Sequence, residues 1–568
     1  MPESNPTPSK PNDRAVRSLI NIAAIVAVAT LISKVFGLVR QQAIAAAFGA
    51  GPAFGAYSFA YVVPGFLLIL LGGINGPFHS AIVSVLAKRK REEAAPILET
   101  ISTLVVGILL LVTVLLIFYA EPVTRIIAPG LFATEAQIRA SGSVPADQVA
   151  QTFQMLQLTK DVAIQQFRIM APMAVLAGLI GIGFGALNAA DYYWLPSISP
   201  IFSSVTVLIG IGGLAFYLGD KTGLPEYAAL GGAVLAWSTL AGAVLQWLVQ
   251  LPVQWKAGLG GFRPRFNFRQ PEVQEVLRIM GPATFSSGMM QINVWTDLFF
   301  ASFIPNAAAA VSAMSYAGLL VQTPVGILSN MILVPLMPLF ARLSAPEHWD
   351  ELKLRIRQGL LTTAVVMLPI SALMIVLAVP ISRAVYERYA FRPEDSYLTA
   401  SVLVAYSIGM FVYLGRDIVV RVFYGLGDAT TPFRNSIFNI FLNAFFDFLL
   451  VKPFGAPGIV LATVSVNIFS MVVLLFVLNR RLNGLPLLEW TRPVLGLAIA
   501  SVIAGFASWG TFSLAESWLG SRGLLVLLLE LLVASAVGMG VYVVLALQLK
   551  LPEFNMFVVR LRQKILRR

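Results

Sequence analysis

The sequence predicts an all-α protein that crosses a membrane many times, and three observations predict it. Hydrophobic residues make up 57% of the 568 and charged residues only 12%, about half the ~25% of an ordinary globular protein. Mean hydropathy is +0.80. Apolar runs of the ~20 residues needed to cross a bilayer recur along the whole length. A soluble protein of this size could not cover its surface with so few charges.

Fourteen spans are predicted, at 18–48, 54–87, 97–120, 162–189, 195–218, 228–254, 274–304, 307–341, 356–380, 397–425, 432–451, 457–479, 492–512 and 522–548. Residues 1–17, beginning with a Pro/Ser/Asn-rich stretch, read as a disordered N-terminal segment. The hydrophobic run after Arg17 is too long for the core of a signal peptide, so the first helix is expected to stay in the mature protein. Residues 18–254 form an N-lobe of six spans, 255–271 an inter-lobe loop and 272–482 a C-lobe of six. Residues 492–548 add two spans that hydropathy alone supports, and 549–568 are a basic tail.

Basic residues orient the chain. One set of loops, from Lys10 and Lys88–Arg91 through Arg263 and Arg480 to the tail, carries 26 Lys/Arg, and the opposite set carries nine. Both termini are therefore expected in the cytoplasm. An internal repeat is also expected. Phe184–Asp191 resembles Phe423–Thr430, each followed by a proline opening the next helix, and Gly232–Ala236 resembles Gly458–Ala462. Both matches pair a span with the one six later, which predicts two parallel six-helix lobes around a cavity, the layout of an alternating-access transporter.

Several functions are excluded. The absence of cysteine removes disulfides, iron–sulfur centres and thiolate zinc sites, and the two histidines, His79 and His348, are too far apart in sequence to suggest a metal site. His79 reads as a packed side chain. No G-x-x-x-x-G-K-[ST] phosphate loop occurs, which argues against an ATP-driven pump. Gly181–Gly185 imitates a nucleotide fingerprint, but inside a span small residues serve helix packing. The formal charge of +12 reflects retained cytoplasmic Lys/Arg rather than nucleic-acid binding. The chain is not expected to be an enzyme or to carry an organic cofactor.

An ionisable group at bilayer depth costs about 2.5–3.5 kcal/mol on insertion scales, so each such group is a candidate. Lys34 and Arg40 sit deep in the first span with no acidic neighbour in sequence, and are expected to face the cavity and bind an anion such as a phosphate. Arg416, Asp417 and Arg421 share span ten. Asp417 and Arg421 are spaced to pair, leaving Arg416 or Arg421 to meet an anion. Arg168 reads as a snorkelling side chain. Asp297, Asn443, Asp447 and Thr463 come to a similar depth near one face of the membrane from spans seven, eleven and twelve. Two carboxylates, an amide oxygen, a hydroxyl and a backbone carbonyl suit a hard cation, although capping and interhelical hydrogen bonds would also use them.

The segments Ser33-Lys34-Val35-Phe36-Gly37-Leu38-Val39-Arg40, Phe48-Gly49-Ala50-Gly51, Ala128-Pro129-Gly130, Gly281-Pro282-Ala283 and Arg416–Asp428 with Thr431-Pro432 resemble the MurJ/MviN family. Its members are lipid II flippases of the multidrug/oligosaccharidyl-lipid/polysaccharide exporter superfamily, and the likeness runs from about residue 18 to 550. It implies fourteen helices, two lobes and a cationic cavity for the diphosphate of a lipid-linked peptidoglycan precursor. It also implies a sodium site on Asp297, Asn443, Asp447, Ile459 (through its carbonyl) and Thr463. The headgroup site falls on Lys34, Arg40, Arg416 and Arg421. Departures are visible: Leu68 and Tyr316–Gln322 are neutral where the family carries arginines, and Gly55 stands where an acidic residue is usual. The expected activity is movement of lipid II, an undecaprenyl-diphosphate-linked muropeptide, to the outer leaflet of the bacterial cytoplasmic membrane. It would be carried out by a monomer and driven by Na⁺ or the membrane potential. The rivals are a flippase for another lipid-linked oligosaccharide, a superfamily drug exporter and a scaffold without transport.

Overall fold

The computed structural model describes residues 13–73, 76–86, 91–261, 263–289, 291–520 and 523–550. The start of the expected N-terminal segment, the basic loop at 87–90 and nearly all of the basic tail lie outside them. The described residues form helices and no strand. In order, α1 (Asp13–Phe48), α2 (Pro52–Ala60), α3 (Val62–Gly72), α4 (Pro77–Leu86), α5 (Arg91–Phe118), α6 (Ala120–Ile127) and α7 (Glu135–Ser141) come first. Then follow α8 (Val149–Met170), α9 (Met173–Ala189), α10 (Trp194–Ile198), α11 (Pro200–Leu218), α12 (Ala228–Leu248) and α13 (Gln250–Lys256). The second half holds α14 (Pro271–Met289), α15 (Ile292–Ala301), α16 (Ala307–Arg342), α17 (Trp349–Val376), α18 (Ala378–Tyr386), α19 (Pro393–Ile408) and α20 (Met410–Gly425). It closes with α21 (Thr430–Phe454), α22 (Ala456–Arg481), α23 (Leu487–Leu519) and α24 (Leu524–Gln548).

Among the described residues eleven helices are long and apolar enough to cross a membrane, or twelve if the bent pair α8–α9 is one span. The other two expected spans correspond to α1 and to α14 with α15, which stand outside that count. The chain is a multi-span membrane protein. Several expected single spans are broken. Residues 54–87 divide into α2, α3 and α4, because a proline ring removes a backbone donor and glycine relaxes the helix at Pro64, Gly73, Gly76 and Pro77. Between α8 and α9 the axis turns by 42° at Ala171-Pro172.

The expected seventh span is divided more consequentially. Val273, Val276 and Met280 of α14 are buried in one cluster with Leu71, Ile82 and Ile101, so α14 packs on α3, α4 and α5. Its continuation α15 packs chiefly on α21, with smaller contacts to α16, α22 and α6. The connecting segment before α14 is tacked to α5 as well. Glu99 accepts hydrogen bonds from the Gly261 N–H at 3.0 Å and the Arg265 Nε at 2.6 Å. The last two helices lie outside, on α17, where the Tyr542 hydroxyl donates to the Val365 carbonyl at 2.8 Å.

At the end of α1 the two halves are clamped together. The Tyr316 hydroxyl donates to the Gly49 carbonyl at 2.7 Å, the Ala390 N–H to the Ala46 carbonyl at 3.0 Å, and the Ala50 N–H to Asp395 Oδ2 at 3.3 Å. Gly49 has φ +56°, and a Cβ there would stand 2.4 Å from the Ala390 carbonyl oxygen. Only glycine satisfies both the turn and the approach. A Cβ on Gly55 would likewise lie 2.4 Å from Ala308 Cα. Backbone contact between α2 and α16 explains why no acidic side chain stands at position 55.

Candidate functional site

Below this clamp lies a cavity of about 500 Å³ between the halves. From the first half it is lined by Arg40 and Gln41 of α1 and by Tyr57, Ser58 and Tyr61 on α2 and at its end. From the second half come Asp297, Ser315, Gln322 and Tyr406. Among the described lining residues Arg40 is the one Lys or Arg. It is partly buried, and its Nε is enclosed with no hydrogen-bond partner. An enclosed Nε–H without an acceptor carries a desolvation cost that an anion would relieve. Around it the wall is polar but neutral. Tyr57 and Tyr61 stack with ring centroids 5.2 Å apart, and the Tyr57 hydroxyl pairs with Thr239 at 3.1 Å.

The other candidates part company with Arg40. Lys34 is exposed and reaches α16, where a Cβ on Gly326 would meet its Nζ at 3.2 Å. Arg416 turns to α22, donating from Nε to Ser470 Oγ at 3.1 Å and from Nη1 to Asn467 Oδ1 at 3.3 Å. Arg421 donates to the Leu333 carbonyl of α16 at 3.3 Å. Neither Arg416 nor Arg421 lines the cavity. The expected Asp417–Arg421 pair is replaced, among the described residues, by Asp417 with Arg416 at 3.9 Å. These helix faces meet protein rather than the cavity, which spacing along one helix does not reveal. His79 is buried against Asn188 at 2.6 Å, and Arg168 is exposed at the end of α8. Leu68 packs among apolar neighbours, whereas Leu319 and Gln322 line the cavity.

The four oxygen-bearing side chains of the ion-site expectation come together. Asn443 and Asp447 lie one turn apart on the buried face of α21, 1% and 0% exposed. Asn443 Nδ2 donates to Asp447 Oδ2 at 2.9 Å and to Asp297 Oδ1 at 2.7 Å. The Thr463 hydroxyl is 3.3 Å from Asp297 Oδ2 and 3.5 Å from Asn443 Oδ1. Ile459, fully buried, is one turn before Thr463 on α22. Asp447 Oδ1 is enclosed without a partner. The donor set is all oxygen, and an orphaned carboxylate oxygen faces inward, so these residues fit a hard monovalent cation. The Asn443 amide bridges the two carboxylates, and turning it over would present its oxygen instead. Asp297 belongs to both the cage and the cavity wall.

Sequence reasoning missed Gln41, Tyr57, Ser58, Tyr61 and Tyr406. Tyr57 and Tyr61 are neutral residues inside an apolar run, so a search for ionisable groups at bilayer depth passes over them.

The family described as Lipid II flippase MurJ matches residues 44–529. A relative from Synechocystis sp., named probable lipid II flippase MurJ, is 52% identical over 98% of this chain and 99% of its own length. The lipid II flippase MurJ of Burkholderia cenocepacia is 27% identical over 89% and 92%. A solved lipid II flippase MurJ in an inward closed conformation superposes with a TM-score of 0.68 at 21% identity, covering 92% of this chain and 98% of that one. An inward-facing multidrug transporter of the MATE family gives a TM-score of 0.57 at 14% identity, covering 81% and 98%. At those identities the two structures speak for the fold alone.

Proposed function

This chain belongs to the lipid II flippase MurJ family, and from that premise we propose that it moves lipid II from the inner to the outer leaflet of a bacterial cytoplasmic membrane by alternating access. The observation that carries the reading is Arg40, whose enclosed Nε has no acceptor, in a cavity between two halves that are clamped at one end. Arg40 meets the diphosphate, Lys34, exposed at α16 outside the cavity lining, supplies a second charge on the approach, and the neutral Tyr57–Ser58–Tyr61 wall hydrogen-bonds the sugar and peptide. The basic loops put both termini in the cytoplasm. The Gly49–Asp395 clamp then seals the outer end, and the cavity serves the inner leaflet.

Coupling to Na⁺ or to the membrane potential belongs to the same proposal. A bound cation supplies the charge that lets Asp297 and Asp447 remain ionised together in a dry site. Asp297 joins that cage to the cavity wall, so displacement of α15 alters both at once.

A single cavity arginine also favours a second reading, a flippase for another lipid-linked oligosaccharide with one diphosphate. Rescue of a bacterium depleted of its lipid II flippase separates the two, scored together with accessibility of lipid II at the outer leaflet. The proposal expects growth and exposed lipid II. An inserted, stable protein that rescues neither sinks it.

A further inference from the structure

From Asn435 to Asp447 the buried face of α21 is polar. Asn435, Asn439, Asn443 and Asp447 recur every fourth residue and are 8%, 3%, 1% and 0% exposed. At ~1.5 Å per residue the rungs are about 6 Å apart. In a membrane such groups need partners, and most have them. Asn443 and Asp447 belong to the cage. Asn435 donates to Ser470 Oγ, which also accepts from Arg416 Nε. Arg416 Nη1 donates to Asn467 Oδ1, and Asn467 Nδ2 donates to the Thr463 carbonyl at 2.7 Å. Between these two ends, Asn439 Oδ1 is enclosed with no partner, as is Asp447 Oδ1. Two orphaned acceptors on one helical face, two turns apart, are what a file of buried water would satisfy.

We propose that this row is a hydrated track running from the cation cage toward the Arg434/Arg481 end of the second half, and that Arg416 closes it. Cations then exchange with the cage only through Asp297 and the central cavity. The inference rests on the cation reading above. A guanidinium suits the task because it stays charged at any physiological pH, and two hydrogen bonds to α22 hold it in place, with Asp417 3.9 Å away as its ion-pair partner. Without such a stop, a polar row reaching from a cation site toward the cytoplasm would dissipate the gradient that the site is meant to use.

Two experiments on the full chain in proteoliposomes without lipid II test this. Downhill uptake of radioactive Na⁺ should rise about tenfold or more in Arg416→Gln, as expected for removing the charge that closes the track, and stay near wild type in Arg416→Lys. A tight Arg416→Gln that keeps the sodium-dependent rise in melting temperature, and so an intact cage, overturns the closure. The second keeps Arg416. The chain has no cysteine, so Asn439→Cys gives a single thiol, probed with Ag⁺. Modification that saturating Na⁺ suppresses supports entry through the cage. No modification overturns the track, and modification indifferent to Na⁺ overturns Arg416 as its stop. Absence of any sodium-dependent stabilisation in the wild-type chain fails the cation reading, and this inference with it. A failed track beside intact sodium stabilisation leaves that reading standing.

Discussion

The cage around Asp297 and the cavity around Arg40 lie side by side, yet they are built in opposite ways. In the cage nearly every polar atom is met by another side chain, and the residues on α21 are sealed from solvent. In the cavity the one guanidinium has an unmet donor and the walls belong to different halves. A small ligand of fixed radius rewards pre-assembled oxygens. A large, flexible one arriving between moving halves rewards a single strong anchor and a neutral surround. On the proposed function, the difference teaches that substrate binding would depend on few residues and ion binding on their mutual geometry.

The sharpest way to break this contrast is at the anchor. Arg40→Ala should lower lipid II flipping in proteoliposomes by about two orders of magnitude, equivalent to ~2–3 kcal/mol for a lost charge-assisted contact, with insertion and melting temperature near wild type. Activity within a few-fold of wild type would mean that the neutral wall suffices. The clamp comes next. Gly49→Ala meets both a positive φ and the Ala390 oxygen, so it should destabilise the joined halves by about 1–3 kcal/mol, read as a fall of several degrees in thermal inactivation. An unchanged midpoint would show that the clamp contributes little.

In the cage the expected effect is smaller. Asp447→Asn keeps the volume and removes one charge, and should abolish the sodium-dependent rise in melting temperature. The expected wild-type stabilisation is about 1.4 kcal/mol at tenfold excess over Kd, measured against potassium at equal ionic strength. A variant that responds like wild type would make Asp447 structural. The smallest effect lies outside the membrane. Burial pushes the Asp428 carboxyl up, but hydrogen bonds from the Thr431 N–H and hydroxyl and the Arg481 guanidinium outweigh it and leave it below its usual value. Its stabilisation is therefore complete above the ordinary Asp pKa near ~3.9 and is lost as pH falls through the lower folded value. Asp428→Asn should cost under about 1 kcal/mol at neutral pH, because the pair is partly exposed, and should flatten the acid limb of the stability profile. A profile identical to wild type would remove Asp428 from the account.

The two regions also differ in how far the sequence reveals them. Asn443 and Asp447 are one turn apart on one helix, and hydropathy fixes the depth of Asp297 and Thr463, so spacing and topology converge on the cage. Arg40 was legible as a charge deep in an apolar helix. Arg416 was visible for the same reason, but its direction was not, because which neighbour a helix face meets is decided by packing among distant segments. The break after Met289 was equally hidden. Hydropathy averages over 274–304 and sees one span, whereas α14 answers to the apolar surface of α3, α4 and α5 and α15 chiefly to α21.

That divided span has a consequence for anyone wishing to treat the halves as separate modules. A cut in the connecting segment, between Ala257 and Gln270, would leave the first half without α14, the helix that covers Leu71, Ile82 and Ile101. The second half would carry that helix with its apolar side bare. Neither fragment is a finished body, and the two interlock as a joiner's tenon does with its mortise. Exchange of halves between relatives would have to move the boundary past Met289, to where the chain itself changes allegiance.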